Sequence, residues 1–105
     1  MAVWLTKALR RIKELADARR VWFTLKALRE LSQLGLDEED AREVLAGLTV
    51  GDSAGRRKSA KTSEWMYVFK PELGRTVLYI KVLLRTNCVL ISFHEDEVAS
   101  DEKDW

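Results

Sequence analysis

The strongest constraint on the fold is the pattern of two apolar segments near the end of the chain. Residues 76–84 and 88–94 are rich in Val, Ile, Leu and aromatic residues, and only the tripeptide RTN separates them. This pattern predicts two antiparallel strands joined by a hairpin, with Thr86 and Asn87 as a two-residue turn. One apolar face is then made by the predicted cross-strand pairs Leu84 with Val89, Val82 with Ile91, and Ile80 with Phe93.

The opposite face of this hairpin carries the polar side chains. It is made by the pairs Tyr79 with His94, Lys81 with Ser92, and Leu83 with Leu90. A slip of one residue would bury Lys81 and expose Ile80, so the register is well specified. Because the apolar face must pack against other elements, we expect a phenol, an amine, a hydroxyl and an imidazole side by side on the face that these elements need not cover.

The first half of the chain predicts three helices. In residues 4–18 the apolar residues recur at helical spacing. Thr24 is a suitable N-cap for a second helix with Leu25, Leu28, Leu31 and Leu34 as its apolar series, and Gly35 is a suitable stop. Asp37 is a suitable N-cap for a third helix, whose buried stripe is Ala41, Val44, Leu45 and Leu48.

Helices followed by strands indicate an α+β fold, in which three N-terminal helices pack on one face of a C-terminal antiparallel sheet. Residues 65–70 (WMYVFK) predict one further strand, ended by Pro71. One side of this strand carries Trp65, Tyr67 and Phe69, and the other carries Met66, Val68 and Lys70. The pattern leaves open which side faces the core. Residues 1–94 are expected to form a single domain, and residues 95–105 an acidic, disordered tail.

Charge is distributed unevenly along the chain. The formal net charge is +1, but residues 95–105 contain six acidic residues and one lysine. Residues 1–94 therefore hold 17 basic and 11 acidic residues, a net charge of about +6, which favours a polyanionic partner. A polar loop over residues 55–61 (GRRKSAK) is expected to grip phosphates through Arg56, Arg57, Lys58 and Lys61, although a solubilising surface loop would have the same composition.

The side chains predicted on the polar hairpin face suit the cleavage of a phosphodiester. RNA cleavage needs a base for the 2′-hydroxyl proton, an acid for the leaving oxygen, and cations for the charge on phosphate. His94 is the only histidine, and imidazoles exchange protons near neutral pH. We expect neither a metal site nor a cofactor, because the carboxylates, the histidine and the single cysteine are not clustered.

Several classes of protein are not supported by the sequence. No apolar run is long enough to span a membrane. Charged residues interrupt every apolar stretch near the N-terminus, which argues against a signal peptide, and a single cysteine cannot form an internal disulfide. These features predict a cytoplasmic protein with no membrane partner. G-x-S-x-G, P-loop and G-x-G-x-x-G motifs are absent, which argues against a serine hydrolase or a nucleotide-binding fold.

Two segments resemble a known family. Residues 26–49 (KALRELSQLGLDEEDAREVLAGLT) are similar to the helix pair of MqsR-type toxins. Residues 65–96 (WMYVFKPELGRTVLYIKVLLRTNCVLISFHED) are similar to that family's ending, with KP, YIK and ISF in order and at matching spacings. The resemblance implies a RelE-like fold and the toxin of a type II toxin–antitoxin system. It also implies a ribosome-independent, sequence-selective mRNA endonuclease that a cognate antitoxin protein neutralises.

The resemblance also implies site residues. Tyr79 matches the family's active-site tyrosine, and Lys58 matches its loop lysine. His94 falls where the family has a functional lysine, and Met66 falls where it has a functional glutamine, so this chain departs from the pattern at two positions.

The sequence thus predicts an mRNA interferase with Tyr79, His94, Lys58 and Lys81 as catalytic residues. The residues expected to bind RNA are Arg56, Arg57, Lys61 and Ser92. Two alternatives are a non-catalytic RNA- or protein-binding module on the same scaffold, motivated by Met66 and His94, and an interaction protein whose sheet only docks a partner.

Overall fold

The computed structural model describes residues 2–96. Three α-helices and six strands follow one another along this part of the chain, with a single 3₁₀ turn at Val50–Asp52 between the last α-helix and the second strand. They are α1 (Val3–Asp17), β1 (Val21–Phe23), α2 (Leu25–Gln33), α3 (Glu38–Ala46), β2 (Ser53–Lys58), β3 (Trp65–Phe69), β4 (Glu72–Leu73), β5 (Thr76–Leu84) and β6 (Cys88–Glu95). The predicted α+β class and the three N-terminal helices are confirmed.

The sequence had predicted an antiparallel sheet, but the sheet of the structure is mixed. Its strand order is β1-β6-β5-β3-β2, and β4 pairs separately with β5. The exception to antiparallel pairing is β1, which lies between α1 and α2 in sequence and pairs parallel with β6. Residues Val21 to Phe23 broke the helical pattern of their neighbours, but three residues are too few to show the alternation typical of a strand.

The predicted register of the β5–β6 hairpin is correct in its far half and wrong near the turn. The pairs Tyr79 with His94, Ile80 with Phe93 and Lys81 with Ser92 are present. Nearer the turn, Leu84 pairs with Cys88, Leu83 with Val89 and Val82 with Leu90, because the loop has three residues, 85–87. A bulge between these halves leaves Ile91 as an extra residue and restores the predicted alternation beyond it.

The hydrophobic core lies between the helices and one face of the sheet. All three helices contribute fully buried side chains, such as Ile12, Leu31 and Leu45. From the sheet, Ile80 and Phe93 are 0% exposed and face these helices. The core also contains Phe69, Leu78, Val82, Cys88 and Leu90. Near the turn the predicted faces are therefore wrong: Leu90, expected on the polar face, is in the core, whereas Val89 and Ile91, expected on the apolar face, are only partly buried, because the pairing there is shifted by one residue. In the predicted apolar stripe of α3, Ala41 and Leu45 are buried, while Val44 and Leu48 are only partly buried and Leu48 lies beyond the end of the helix. In α2, Leu25 and Leu28 are exposed and Ala27 is buried in their place.

The basic segment expected to be a loop is an edge strand. Residues 53–58 form β2, which pairs antiparallel with β3. A register shift between Ser53 and Arg56 contains Gly55, whose φ of +93° is rarely adopted by L side chains. Its polar composition resembled a loop because an edge strand has one side in solvent and carries charges there.

The first turn of α2 is fastened to β6. The Thr24 hydroxyl accepts a hydrogen bond from the Ala27 N–H (3.1 Å), as predicted for an N-cap, and donates one to the carbonyl oxygen of Ile91 (3.2 Å). Farther along α2, the Glu30 carboxylate accepts from the Phe93 N–H (2.9 Å). The part of the β6 edge that extends beyond β1 is therefore covered by α2, which avoids an open sheet edge.

Replacing Thr24 by Ala removes both the cap and the bond to the bulged residue. We expect a loss of about 1–2 kcal/mol in the free energy of unfolding, measured by urea denaturation. Thr24→Ser keeps the hydroxyl and should lose clearly less. Equal losses in the two variants would show that the hydroxyl contacts are not the cause.

The folded part of the chain extends past the predicted domain boundary. Glu95 belongs to β6, and Asp96 is 6% exposed and donates its N–H to the Val77 carbonyl oxygen (2.8 Å). The expectation of a disordered tail is therefore wrong for these two residues, and residues 97–105 lie outside the described part of the chain. Within residues 2–96, no helix is both long and apolar enough to cross a membrane.

Candidate active site

The aromatic ring of Tyr79 and the imidazole of His94 stack on the sheet face opposite the helices. Their centroids are 5.0 Å apart and their planes are inclined by 11°. The two residues are cross-strand partners of β5 and β6, and the intervening residues Ile80 and Phe93 point into the core. Alternation along the two strands therefore fixes the partly exposed pair on the side opposite the helical core, which we call the open face, although Val68 and Leu83 on this side are themselves buried.

The imidazole orientation identifies the nitrogen available for proton transfer. His94 Nδ1 is 2.7 Å from the backbone carbonyl oxygen of Glu95. A carbonyl oxygen only accepts hydrogen bonds, so this contact requires a proton on Nδ1. In the neutral ring Nε2 is then an unprotonated acceptor, which is the state that a general base needs.

Two lysines lie beside the stacked rings. Lys81 is two residues from Tyr79 along β5 and on the same side, about 7 Å away at the backbone. The amine of Lys70, which follows β3, lies 6.0 Å from the centroid of the Tyr79 ring and 3.4 Å from Asp96 Oδ2. The Lys70 amine thus lies near the Tyr79 ring, and Lys81 shares the open face of β5 with Tyr79.

The sequence had predicted that Ser92 binds RNA, but its side chain is not exposed to solvent. It does point to the open face, opposite Lys81, but it is only 1% exposed. Its hydroxyl lies 2.8 Å from the amine of Lys26, which reaches over from α2. Sequence reasoning missed Lys26, because only the docking of α2 along β6 brings residues 66 positions apart into contact.

The four basic residues of the 55–61 segment are divided between different surfaces. Arg57 pairs with Met66 and shares the side of the open face, whereas Arg56 and Lys58 pair with Tyr67 and Trp65 on the helix side. The Arg56 guanidinium lies 3.9 Å from the Trp65 ring centroid and 4.7 Å from that of Trp4. Lys61 is exposed in the turn after β2.

The structure therefore does not bring Lys58 to the stacked rings. Its amine lies 5.1 Å from the Trp65 ring centroid, on the opposite side of the sheet from Tyr79 and His94. The sequence had predicted that residues 55–61 form a loop, which could approach the hairpin face. Strand pairing instead sends successive residues to alternate sides.

The two sides of β3 face different surroundings in the structure. Trp65, Tyr67 and Phe69 point to the helix side, where Tyr67 contacts Trp4 and Phe69 is fully buried. Met66 lies on the open face, next to Leu83 of β5. No aromatic ring of β3 is therefore available for stacking on the open face.

The cysteine is remote from this chemistry. Cys88 is 0% exposed, and burial raises the pKa of its thiol to about 12, so it stays protonated at neutral pH and cannot act as a thiolate nucleophile. Within residues 2–96, no three His, Cys, Asp or Glu side chains come together as possible metal ligands.

The fold and the site together define a class of protein. It is an α+β protein whose open sheet face carries a stacked tyrosine and histidine next to lysines. Residues 6–95 match the family model described as "Motility quorum-sensing regulator, toxin of MqsA", so the chain belongs to the MqsR toxin family. Among curated proteins it is similar to the mRNA interferase toxin MqsR of Escherichia coli (strain K12). The two are 31% identical over 91 residues, which cover 83% of this chain and 90% of the relative. The resemblance predicted from the sequence is confirmed.

Proposed function

We propose that this chain is an endoribonuclease of the mRNA interferase type, the toxin of a type II toxin–antitoxin pair. The observation that carries the proposal is the stack of Tyr79 on His94, with Lys81 and Lys70 beside it, on a face that the helices leave open. Membership of the MqsR toxin family and a relative named mRNA interferase toxin support the same class of activity.

In the proposed reaction the two stacked residues transfer protons. His94 Nε2 accepts the proton of an RNA 2′-hydroxyl while the oxygen attacks phosphorus, since Nδ1 already donates to the Glu95 carbonyl. The bond from phosphorus to the 5′-oxygen breaks, and the Tyr79 hydroxyl donates its proton to the departing oxygen. The products are a 2′,3′-cyclic phosphate and a 5′-hydroxyl, and no metal takes part.

The cations of the open face are proposed to hold the phosphate. Lys81 lies nearest in sequence to Tyr79 and would stabilise charge on the non-bridging oxygens. Lys70 and Arg57 extend the positive surface across β3 and β2. Arg56, Lys58 and Lys61 are assigned to RNA binding at the sheet edge, and Lys58 is given no proton-transfer role because it lies on the other side.

The resemblance to MqsR-type toxins implies five further properties, which we propose for this chain. They are a RelE-like scaffold, sequence selectivity, independence from the ribosome, action in the cytoplasm where mRNA is present, and neutralisation by a cognate antitoxin protein. The last of these is supported by the matching family, which is described as a toxin of MqsA.

The proposal is tested with purified protein and a synthetic RNA in the presence of EDTA. We expect fragments ending in a 2′,3′-cyclic phosphate, and no cleavage of the same sequence made as DNA, because the attacking 2′-hydroxyl is missing. Binding of the RNA without cleavage would favour the non-catalytic binding module. Absence of both binding and cleavage would favour a protein-docking role.

A further inference from the structure

A second set of polar contacts lies next to the stacked rings, where α2 meets β6. Lys26 Nζ is 2.8 Å from Ser92 Oγ and 3.2 Å from Glu30 Oε2. Ser92 is buried, but the Lys26 side chain is 58% exposed. The lysine is therefore held by a buried hydroxyl at one point and remains accessible from solvent.

The carboxylate partner of Lys26 is itself fixed. Glu30 Oε1 accepts the backbone N–H of Phe93 (2.9 Å), and the Glu30 side chain is 15% exposed. An ammonium group has three N–H donors, and Ser92 and Glu30 engage two of them. The third is left for an incoming acceptor, so the group is oriented before a ligand arrives and loses less freedom on binding.

The position of this amine relative to the stacked rings suggests its ligand. Ser92 is the cross-strand partner of Lys81 and lies two residues before His94 on the same side of β6. Lys26, Ser92 and Lys81 thus form a row of residue positions that runs from α2 across β6 to β5, with a lysine at each end. A polyanion with regularly spaced charges matches such a row better than a single small anion does.

We propose that Lys26 binds an RNA backbone phosphate adjacent to the one that is cleaved. This inference rests on the proposed function, since it assigns a further contact to the same substrate. The residue is a binding group for the nucleic acid backbone and contributes to KM more than to kcat.

The test compares Lys26→Met with the unaltered protein in binding a single-stranded RNA, 2′-O-methylated so that it stays intact. We expect a roughly ten-fold weaker Kd, equivalent to about 1.4 kcal/mol. The slope of log K against log salt should fall in magnitude by about 0.7, the value for one phosphate contact on a single strand. With cleavable RNA, KM should rise while kcat changes little.

Two variants control this test. Lys26→Arg keeps a cation and should retain most of the affinity. Lys13→Met removes an exposed lysine from α1, on the other side of the sheet, and should leave affinity and salt slope unchanged. Thermal unfolding of each variant verifies that the fold is retained.

The outcomes separate this inference from the proposed function. Unaltered affinity and salt slope in Lys26→Met, or an equal loss in Lys13→Met, would overturn the inference while leaving cleavage by the unaltered protein intact. An unaltered protein that binds RNA but does not cleave it overturns the catalytic proposal, and Lys26 is then judged on binding alone. If the unaltered protein neither binds nor cleaves RNA, both proposals fail.

Discussion

Replacing Tyr79 by Phe is expected to lower the rate of RNA cleavage by a factor of about 10²–10⁴, the usual contribution of a positioned proton donor. The variant keeps the ring that stacks on His94 and loses only the hydroxyl. RNA binding should therefore change little, and the loss should appear in kcat. Single-turnover cleavage of a labelled RNA separates the two quantities.

The chain offers a matched control for this substitution. Tyr67→Phe removes the same hydroxyl from the helix side of the sheet, where the ring contacts Trp4. It should cleave RNA at the unaltered rate. A loss in Tyr67→Phe as large as that in Tyr79→Phe would contradict the assignment of Tyr79 to proton transfer.

His94 provides an independent test of the same pair. His94→Gln keeps a polar side chain but has no group that accepts and releases a proton, so cleavage should fall by a similar factor. His94→Lys restores the residue found at this position in the family pattern and should recover part of the rate, with an altered dependence on pH. Full activity in His94→Gln would show that the imidazole is not required.

The largest expected effect on stability comes from Phe93→Ala. Phe93 is 0% exposed, points into the core between β6 and the helices, and has its N–H bound by Glu30. Removing a fully buried aromatic side chain costs about 3–5 kcal/mol in the free energy of unfolding, through lost transfer free energy and the cavity that remains. This is a large part of the total of about 5–15 kcal/mol typical of such domains.

Urea denaturation measures this change through the midpoint, with the slope of the transition unaltered. Leu25→Ala is the control, because Leu25 is 64% exposed and its truncation should change the free energy of unfolding by less than about 0.5 kcal/mol. A loss below about 1 kcal/mol in Phe93→Ala would show that the core is not organised around this face.

The pairing of Tyr79 with His94 was predicted correctly from the sequence, although the length of the hairpin loop was predicted incorrectly. The predicted two-residue turn was wrong, and a three-residue loop alone would have shifted every later pair. The bulge at Ile91 compensates for the extra loop residue, so Tyr79 and His94 remain partners. A bulge depends on local backbone and tertiary contacts, such as the Thr24 hydroxyl on the Ile91 carbonyl, which alternation alone does not reveal.

Other parts of the site could not be predicted because they depend on packing between distant segments. The position of Lys26 follows from α2 lying along β6, and the chain gives no local signal for that contact. The separation of Lys58 from the rings follows from the pairing of β2 with β3. Polar edge strands lack the apolar alternation that identifies central strands, so the sequence pattern indicated a loop.

A crystal structure of the protein with an RNA carrying a 2′-O-methyl group at the cleavage position would show which side of the sheet binds the phosphate that is cleaved. We expect the phosphate on the open face, within hydrogen-bonding distance of the Tyr79 hydroxyl and His94, with the Lys81 amine beside it. A phosphate bound on the helix side, next to Lys58 and Trp65, with the stacked rings left in solvent, would contradict it.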